Sequence, residues 1–368
     1  MERRSEKTTR SHGFPIFRDV RRAALALSSA VLLTLSSAGA AEKLALDAPL
    51  PTEIPPGTVL AIGDPVTQKA LELSGELEKL PFTIKWANFS GGPKTLEAFR
   101  ANALDAGAVA DIPPIHGNWT GLQVRVIAAS FRHDPENHPI YRLGTAPGVE
   151  IASLEDLRGK KIAYSPGQAQ GALVLRILQK AGLTKDDVQL VEIPSTGDVY
   201  VNALASKLVD AAPIAEANQR RFLANYGPDG AKLILHGLRD DPWYTYVLAS
   251  SLEDPAKAAA FREYVKAWGR ALHWINTHQD EWVQGYYVKD QGLKTDDGVF
   301  LAKSRGNPDV PASWDDVLVR QQATIDLLAK ETGKPAFPAA EIFDRRFETL
   351  AAEGFNEAVS RAAEARAK

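Results

Sequence analysis

The chain has 368 residues, 45% of them hydrophobic and 24% charged, with 27 Gly, 23 Pro and no Cys. That length suggests about two domains, and the composition is that of a globular protein, not of a disordered or collagen-like one. The lack of Cys excludes disulfides, thiolate metal sites, iron–sulfur clusters and cysteine nucleophiles, while the net charge of −3 argues against a nucleic-acid partner.

The first forty residues read as an export signal. Residues 1–22 hold seven basic residues (Arg3, Arg4, Lys7, Arg10, Arg18, Arg21, Arg22) against Glu2, Glu6 and Asp19. The uncharged stretch 23–35 comes next, then small residues with Ala38-Gly39-Ala40 as an A-x-A cleavage site. That order predicts a secretory signal peptide over 1–40 and a periplasmic location for the mature chain. The apolar stretch is too short to span a membrane comfortably, and no later stretch is long enough, so a soluble protein is expected. Arg21-Arg22 leaves both the Sec and the twin-arginine routes open. Without Cys, no lipid can be attached to a mature N-terminal cysteine. Removing the leader's +4 from the total of −3 leaves about −7, which further disfavours nucleic acid and anionic membranes.

Behind a Pro-rich entry at 49–56, strand-like and helix-like segments alternate. Strands are predicted at 58–62, 82–86, 106–110 and 123–129, with helices at 68–76 and 94–103 between them. A second run predicts strands at 162–164, 188–193 and 211–215, and helices at 168–181 and 198–207. Such alternation predicts parallel sheets covered by helices. The stretch LDAGAVAD at 104–111 is echoed by VDAAPIAE at 209–216, each ending on an acidic residue at a strand end, as in two similar lobes. From 251 onward the chain turns helical. Asp254-Pro255 is a cap and first-turn pair. It opens a helix whose Phe261, Tyr264, Val265, Trp268, Leu272 and Ile275 form a packing stripe. A further helix is expected from Ser313 to Gly333.

Three glycine-containing turns fall between a strand and a helix. They are Ile62-Gly63-Asp64-Pro65, Asn88-Phe89-Ser90-Gly91-Gly92-Pro93 and Tyr164-Ser165-Pro166-Gly167-Gln168-Ala169-Gln170. Free N–H groups and the positive dipole end at a helix start favour an anionic group. Gly lets backbone approach a ligand, and Ser and Gln supply neutral hydrogen bonds. In open α/β sheets, ligands gather outside the carboxyl ends of strands, where these turns lie; for each turn a purely structural role stays open. The G-x-S-x-G, G-x-G-x-x-G, H-E-x-x-H and P-loop motifs are absent. His133 and His138, five apart in a polar, Pro-broken stretch, read as a solvated loop, and no metal or cofactor is expected.

These segments resemble the periplasmic substrate-binding proteins of ABC importers, in the group serving alkanesulfonates, taurine, nitrate and related organic anions. The resemblance is carried by FSGGPKTL at 89–96, LDAGAVADIPP at 104–114, LEDLRGKKIAYSPGQAQG at 154–171 and AGLTKDDV at 181–188, with AEIFDRRF at 340–347. It covers roughly residues 57–350. It implies an α/β, two-lobed periplasmic-binding-protein fold of type II, each lobe a mainly parallel sheet with helices on both faces. It also implies ligand contacts from Ser90, Gly91, Gly92, Asp111, Ile112, Gly167, Gln168 and Gln170. Asp64, Ser165 and Glu216, at the same turns and strand ends, complete the candidate site. The chain departs from many sulfonate binders in having Gln168 directly after the turn glycine and Glu216-Ala217-Asn218-Gln219 in place of a Trp-rich segment. Asp111 and Glu216 would repel a bare small anion in a dry cleft, so they suit a larger or zwitterionic ligand, or else face solvent.

The expected organisation is one lobe from 42–142 with 243–368 and a second from 143–242, hinged near 131–143 and 239–246. The expected role is capture of a small organosulfur ligand (sulfonate, taurine or sulfate ester) between the lobes, by a monomer that hands it to a membrane permease. Another small anion or zwitterion, or a receptor in place of the permease, stays open. An enzyme is not expected, because the desulfinases and thiamine-pyrimidine synthases that resemble these binders depend on cysteine or a cysteine-rich segment; a cysteine-independent enzyme on the same fold is the alternative.

Overall fold

Two β-sheets flanked by helices make up the computed structural model, which describes residues 43–89 and 91–367. The expected leader and Ser90 lie outside the described residues. The strands are β1 (Val59–Gly63), β2 (Thr83–Trp86), β3 (Ala106–Val109), β4 (Val124–Arg132), β5 (Tyr141–Thr145), β6 (Lys161–Tyr164), β7 (Gln189–Glu192), β8 (Ala211–Ala215), β9 (Leu233–Ile234), β10 (Trp243–Leu248) and β11 (Pro308–Asp309). The first sheet runs β11-β4-β10-β3-β1-β2 and the second β7-β6-β8-β5-β9.

The two sheets repeat one plan. In each, a first strand (β1, β6) pairs in parallel with an edge strand on one side (β2, β7) and with the central strand on the other (β3, β8). The central strand then meets an antiparallel strand (β10, β5) that enters from a crossing between the lobes. The two-lobed α/β expectation holds, and the repeated segments at 104–111 and 209–216 are the two equivalent central strands. The sheets are mixed instead of mainly parallel, because the crossing strands run against their neighbours. Burial follows position: β4 is buried at all but one residue, as a strand covered on both faces must be, while the edge strand β2 has no buried residue.

The crossings are bound to one another by consecutive carboxylates. Asp240 accepts the backbone N–H groups of Ile140 and Tyr141 at 2.9 and 2.7 Å. Asp241 accepts that of Arg132 at 2.7 Å. Both acids are buried, and each satisfies main-chain donors that leave their sheets at the crossing.

The first sheet and its helices share one core, whereas the second has separate clusters on its two faces. The helix Pro255–Thr277 is capped by Asp254, whose carboxylate accepts from Ala256 and Lys257, and its expected stripe from Phe261 to Ile275 is buried. Gly269 and Gly354 let this helix and Leu350–Ala367 touch backbone to backbone; a Cβ at either would lie 2.0 Å from a carbonyl oxygen of the other helix.

Candidate functional site

The strand-end turns of the two lobes abut. Gly91 (φ 80°) and Gly167 (φ 82°) are both left-handed, a conformation that costs a side-chain-bearing residue. A Cβ on Gly91 would lie 3.9 Å from Gln168 Nε2, and one on Gly167 would lie 3.2 Å from the His116 ring. Gln168 Oε1 accepts from the backbone and hydroxyl of Ser195 at 3.2 and 2.9 Å, so it also holds a loop of its own lobe. Gln170 sits half-buried in the first turn of the helix Ala169–Lys180. Gly92 has a packing role: a Cβ there would stand 2.3 Å from Pro113, where the helices Gly92–Arg100 and Ile112–Trp119 meet.

Three of the expected contact residues are buried in the fold. Asp64 has no exposed surface; its carboxylate caps the helix Pro65–Ser74 by accepting from Thr67 N and Oγ1 at 2.9 and 2.5 Å. Burial pushes its pKa up, partly offset by those bonds. Ile112 is likewise fully buried, as an apolar residue opening a core-facing helix should be. Ser165 is buried beneath its turn, and its hydroxyl has no partner among the described residues.

Asp111 and Glu216 are taken by arginines of the opposite lobe. Arg176 Nη2 donates to Asp111 Oδ2 at 2.9 Å, and the hydroxyl of Thr324 lies 3.4 Å from the same oxygen. Arg132, the last residue of β4, clamps Glu216 with bonds of 3.0 and 3.1 Å to its two oxygens. These bidentate and charge-assisted bonds neutralise both carboxylates where the lobes meet. The two acids therefore line different pockets, Glu216 on one side of the β4–β10 strand pair and Asp111 on the other.

The pocket at Glu216 encloses about 250 Å³ and draws its walls from both lobes, with Val66 at the helix start after β1 on one side. Among its other walls, Phe131, Trp243, Tyr286, Tyr287 and Arg305 were missed from sequence. The two tyrosines belong to a π-helical stretch, Val283–Asp290, whose wider turn brings them together with Trp282. Trp282 stacks on Tyr286 at 4.4 Å, and Tyr287 meets Tyr286 edge-on at 5.3 Å. Gly298 lets the helix Thr295–Arg305 press against Tyr287, a Cβ there being 3.0 Å away. Arg305 ends that helix, where the dipole favours a cation.

The charges of this pocket resolve in pairs. Arg132 is matched by Glu216, and Asp241 by Arg239 at 3.0 Å. Arg305 has no ion pair or side-chain hydrogen bond among the described residues, and it is the one unmatched charge of the lining. Burial pushes the Tyr286 hydroxyl up to about 12 and raises that of Tyr287, so both are neutral hydrogen-bond donors near pH 7. One cation, neutral donors and aromatic walls complement an organic monoanion with an apolar body.

A family model described as NMT1/THI5 like matches residues 93–282. A protein of Escherichia coli strain K12 named for aliphatic-sulfonate binding is 32% identical over 106 residues, 29% of this chain and 32% of the relative's length. A Bacillus subtilis strain 168 protein of the same name is 27% identical over 254 residues, 68% of this chain and 72% of the relative. Among solved structures, the alkanesulfonate-binding protein SsuA of Xanthomonas axonopodis bound to MOPS superposes with a TM-score of 0.65 at 21% identity, covering 79% of this chain and 99% of that one. A desulfurization enzyme has the same fold at a TM-score of 0.55 and 17% identity, covering 83% and 99%.

Proposed function

The chain belongs to the NMT1/THI5-like family, and we propose that it is a periplasmic solute-binding protein that captures a small organosulfur anion between its lobes for a membrane permease of an ABC importer. The lobes in this reading are 42–142 with 243–368 and 143–242, the leader is removed on export, and the protein works as a monomer without a cofactor. The observation that carries the reading is Arg305, a cation without a partner among the described residues, facing aromatic walls in a pocket to which both lobes contribute. A sulfonate, taurine or sulfate ester places one delocalised negative charge on such a guanidinium and its carbon body on Tyr286, Tyr287 and Trp243. The sulfonate-binding names of relatives support the class.

A pocket of about 250 Å³ has room for a polyatomic organic ligand. The fold does not decide between binding and catalysis, since it also carries a desulfurization enzyme. This chain lacks any thiol for such chemistry.

A thermal-shift screen of the purified protein against sulfonates, sulfate esters, nitrate, phosphonates and amino acids tests the assignment, because a ligand that binds the folded state raises its apparent stability. A shift confined to the sulfur oxyanions is expected. A shift confined to amino acids or phosphonates would overturn the ligand class.

A further inference from the structure

We infer that a second organic monoanion binds on the other side of the β4–β10 strand pair, in a pocket of about 290 Å³ centred on Arg320. Phe131, Tyr244, Leu238 and Leu327 give it apolar walls, and it draws residues from both lobes. The alternation of side chains along a strand divides it from the Arg305 pocket: Tyr244 faces this side and Ser130, Arg132 and Trp243 the other, with Phe131 lining both as the partition between them.

Three guanidinium groups converge on this pocket, and two are neutralised. Arg176 is paired with Asp111 at 2.9 Å and Arg239 with Asp241 at 3.0 Å. Arg320 has no ion pair among the described residues; its guanidinium lies over the Phe131 ring at 4.6 Å, with Arg239 over the same ring at 5.3 Å. The ring polarises toward these cations but cancels no charge. The half-buried Arg320 therefore presents a net positive charge to an apolar slot, the same complement that the Arg305 pocket offers. This complement sets the class of ligand: a singly charged oxyanion, sulfonate or carboxylate, on a flat apolar body that lies against Phe131, Tyr244 and Leu327.

Isothermal titration of the purified protein with naphthalene-1-sulfonate tests the inference. Two binding sites are expected in the wild type. Arg320→Gln should weaken one of them at least tenfold and leave the other unchanged, and Leu327→Trp, which fills the slot without changing its charge, should do the same. Arg305→Gln should remove the complementary site. Circular dichroism establishes that each variant is folded. A single site in the wild type, or two unaltered sites in Arg320→Gln and Leu327→Trp, would overturn the inference; a single site lost only in Arg305→Gln would do so while leaving the proposed function standing.

Discussion

Arg132 and Glu216 lie 84 residues apart in sequence and join the two lobes through a bidentate ion pair. The pair has a counterpart of opposite sense. Glu216 follows the central strand of the second sheet and receives Arg132 from a strand of the first; Asp111 follows the central strand of the first sheet and receives Arg176 from the helix Ala169–Lys180 of the second lobe. Two acids that would repel an anionic ligand are thereby converted into fastenings between the lobes. Their arginines satisfy the carboxylates only while the lobes are together, so the pairs favour closure.

Removing one member of the first pair leaves a buried guanidinium short of its anion. Glu216→Gln is expected to lower stability by about 2 kcal/mol, below the range for fully buried pairs because Glu216 retains some exposure. Urea unfolding measures this, and a double-mutant cycle with Arg132→Met should return a coupling of about 1 kcal/mol or more. Additive effects of the two changes would show that the pair contributes nothing.

Gly167→Ala places a methyl group in a left-handed turn and against the His116 ring. A loss of roughly 1–2 kcal/mol is expected from the backbone conformation alone, read by thermal or urea unfolding. Because the turn touches the opposite lobe, ligand affinity should fall as well. Adding His116→Ala restores room and should recover affinity more than stability, whereas equal recovery of both would place the whole effect in folding.

Asp64 gives a pH signature with a defined sign. Burial raises its pKa in the folded protein above the unfolded value, so the folded state binds the proton more tightly. Its contribution to stability is greatest below the unfolded pKa of about 4 and declines as pH rises through the folded value. Asn keeps an acceptor for Thr67 without the buried charge. Asp64→Asn should therefore gain stability relative to the wild type as pH rises above the unfolded value, and a change in the opposite direction would mean that the cap bonds outweigh burial. Asp64→Ala, which removes the cap, should cost about 1 kcal/mol.

Much of this arrangement is legible from residues alone. Short apolar runs bounded by turns locate β1 to β4 and β6 to β8 within a few residues, and Asp254-Pro255 marks the start of Pro255–Thr277. The echo between 104–111 and 209–216 exposes the two central strands. The antiparallel strands β5 and β10 were hidden inside the expected crossings, because their partners β8 and β3 lie far away in sequence. The same distance concealed Arg132 and Arg176, which are 84 and 65 residues from the acids they bind. Nothing local distinguishes Arg305, since its character is the lack of an ion-pair partner among the described residues. Tyr286 and Tyr287 belong to an aromatic-rich region whose spacing suggests ordinary packing; only the π-helical turn brings the pair to the pocket.

The most direct measurement of the central claim is isothermal titration of sulfonates into the wild type and Arg305→Gln. A charge-assisted hydrogen bond lost from a shielded site is worth about 1.5–3 kcal/mol, or roughly a 10- to 100-fold change in Kd. Saturable binding of at least one sulfonate to the wild type, weakened by that factor in a folded Arg305→Gln, is the expected result. No binding of any sulfonate to the wild type, or equal affinity in the two proteins, would contradict capture of a sulfonate at Arg305.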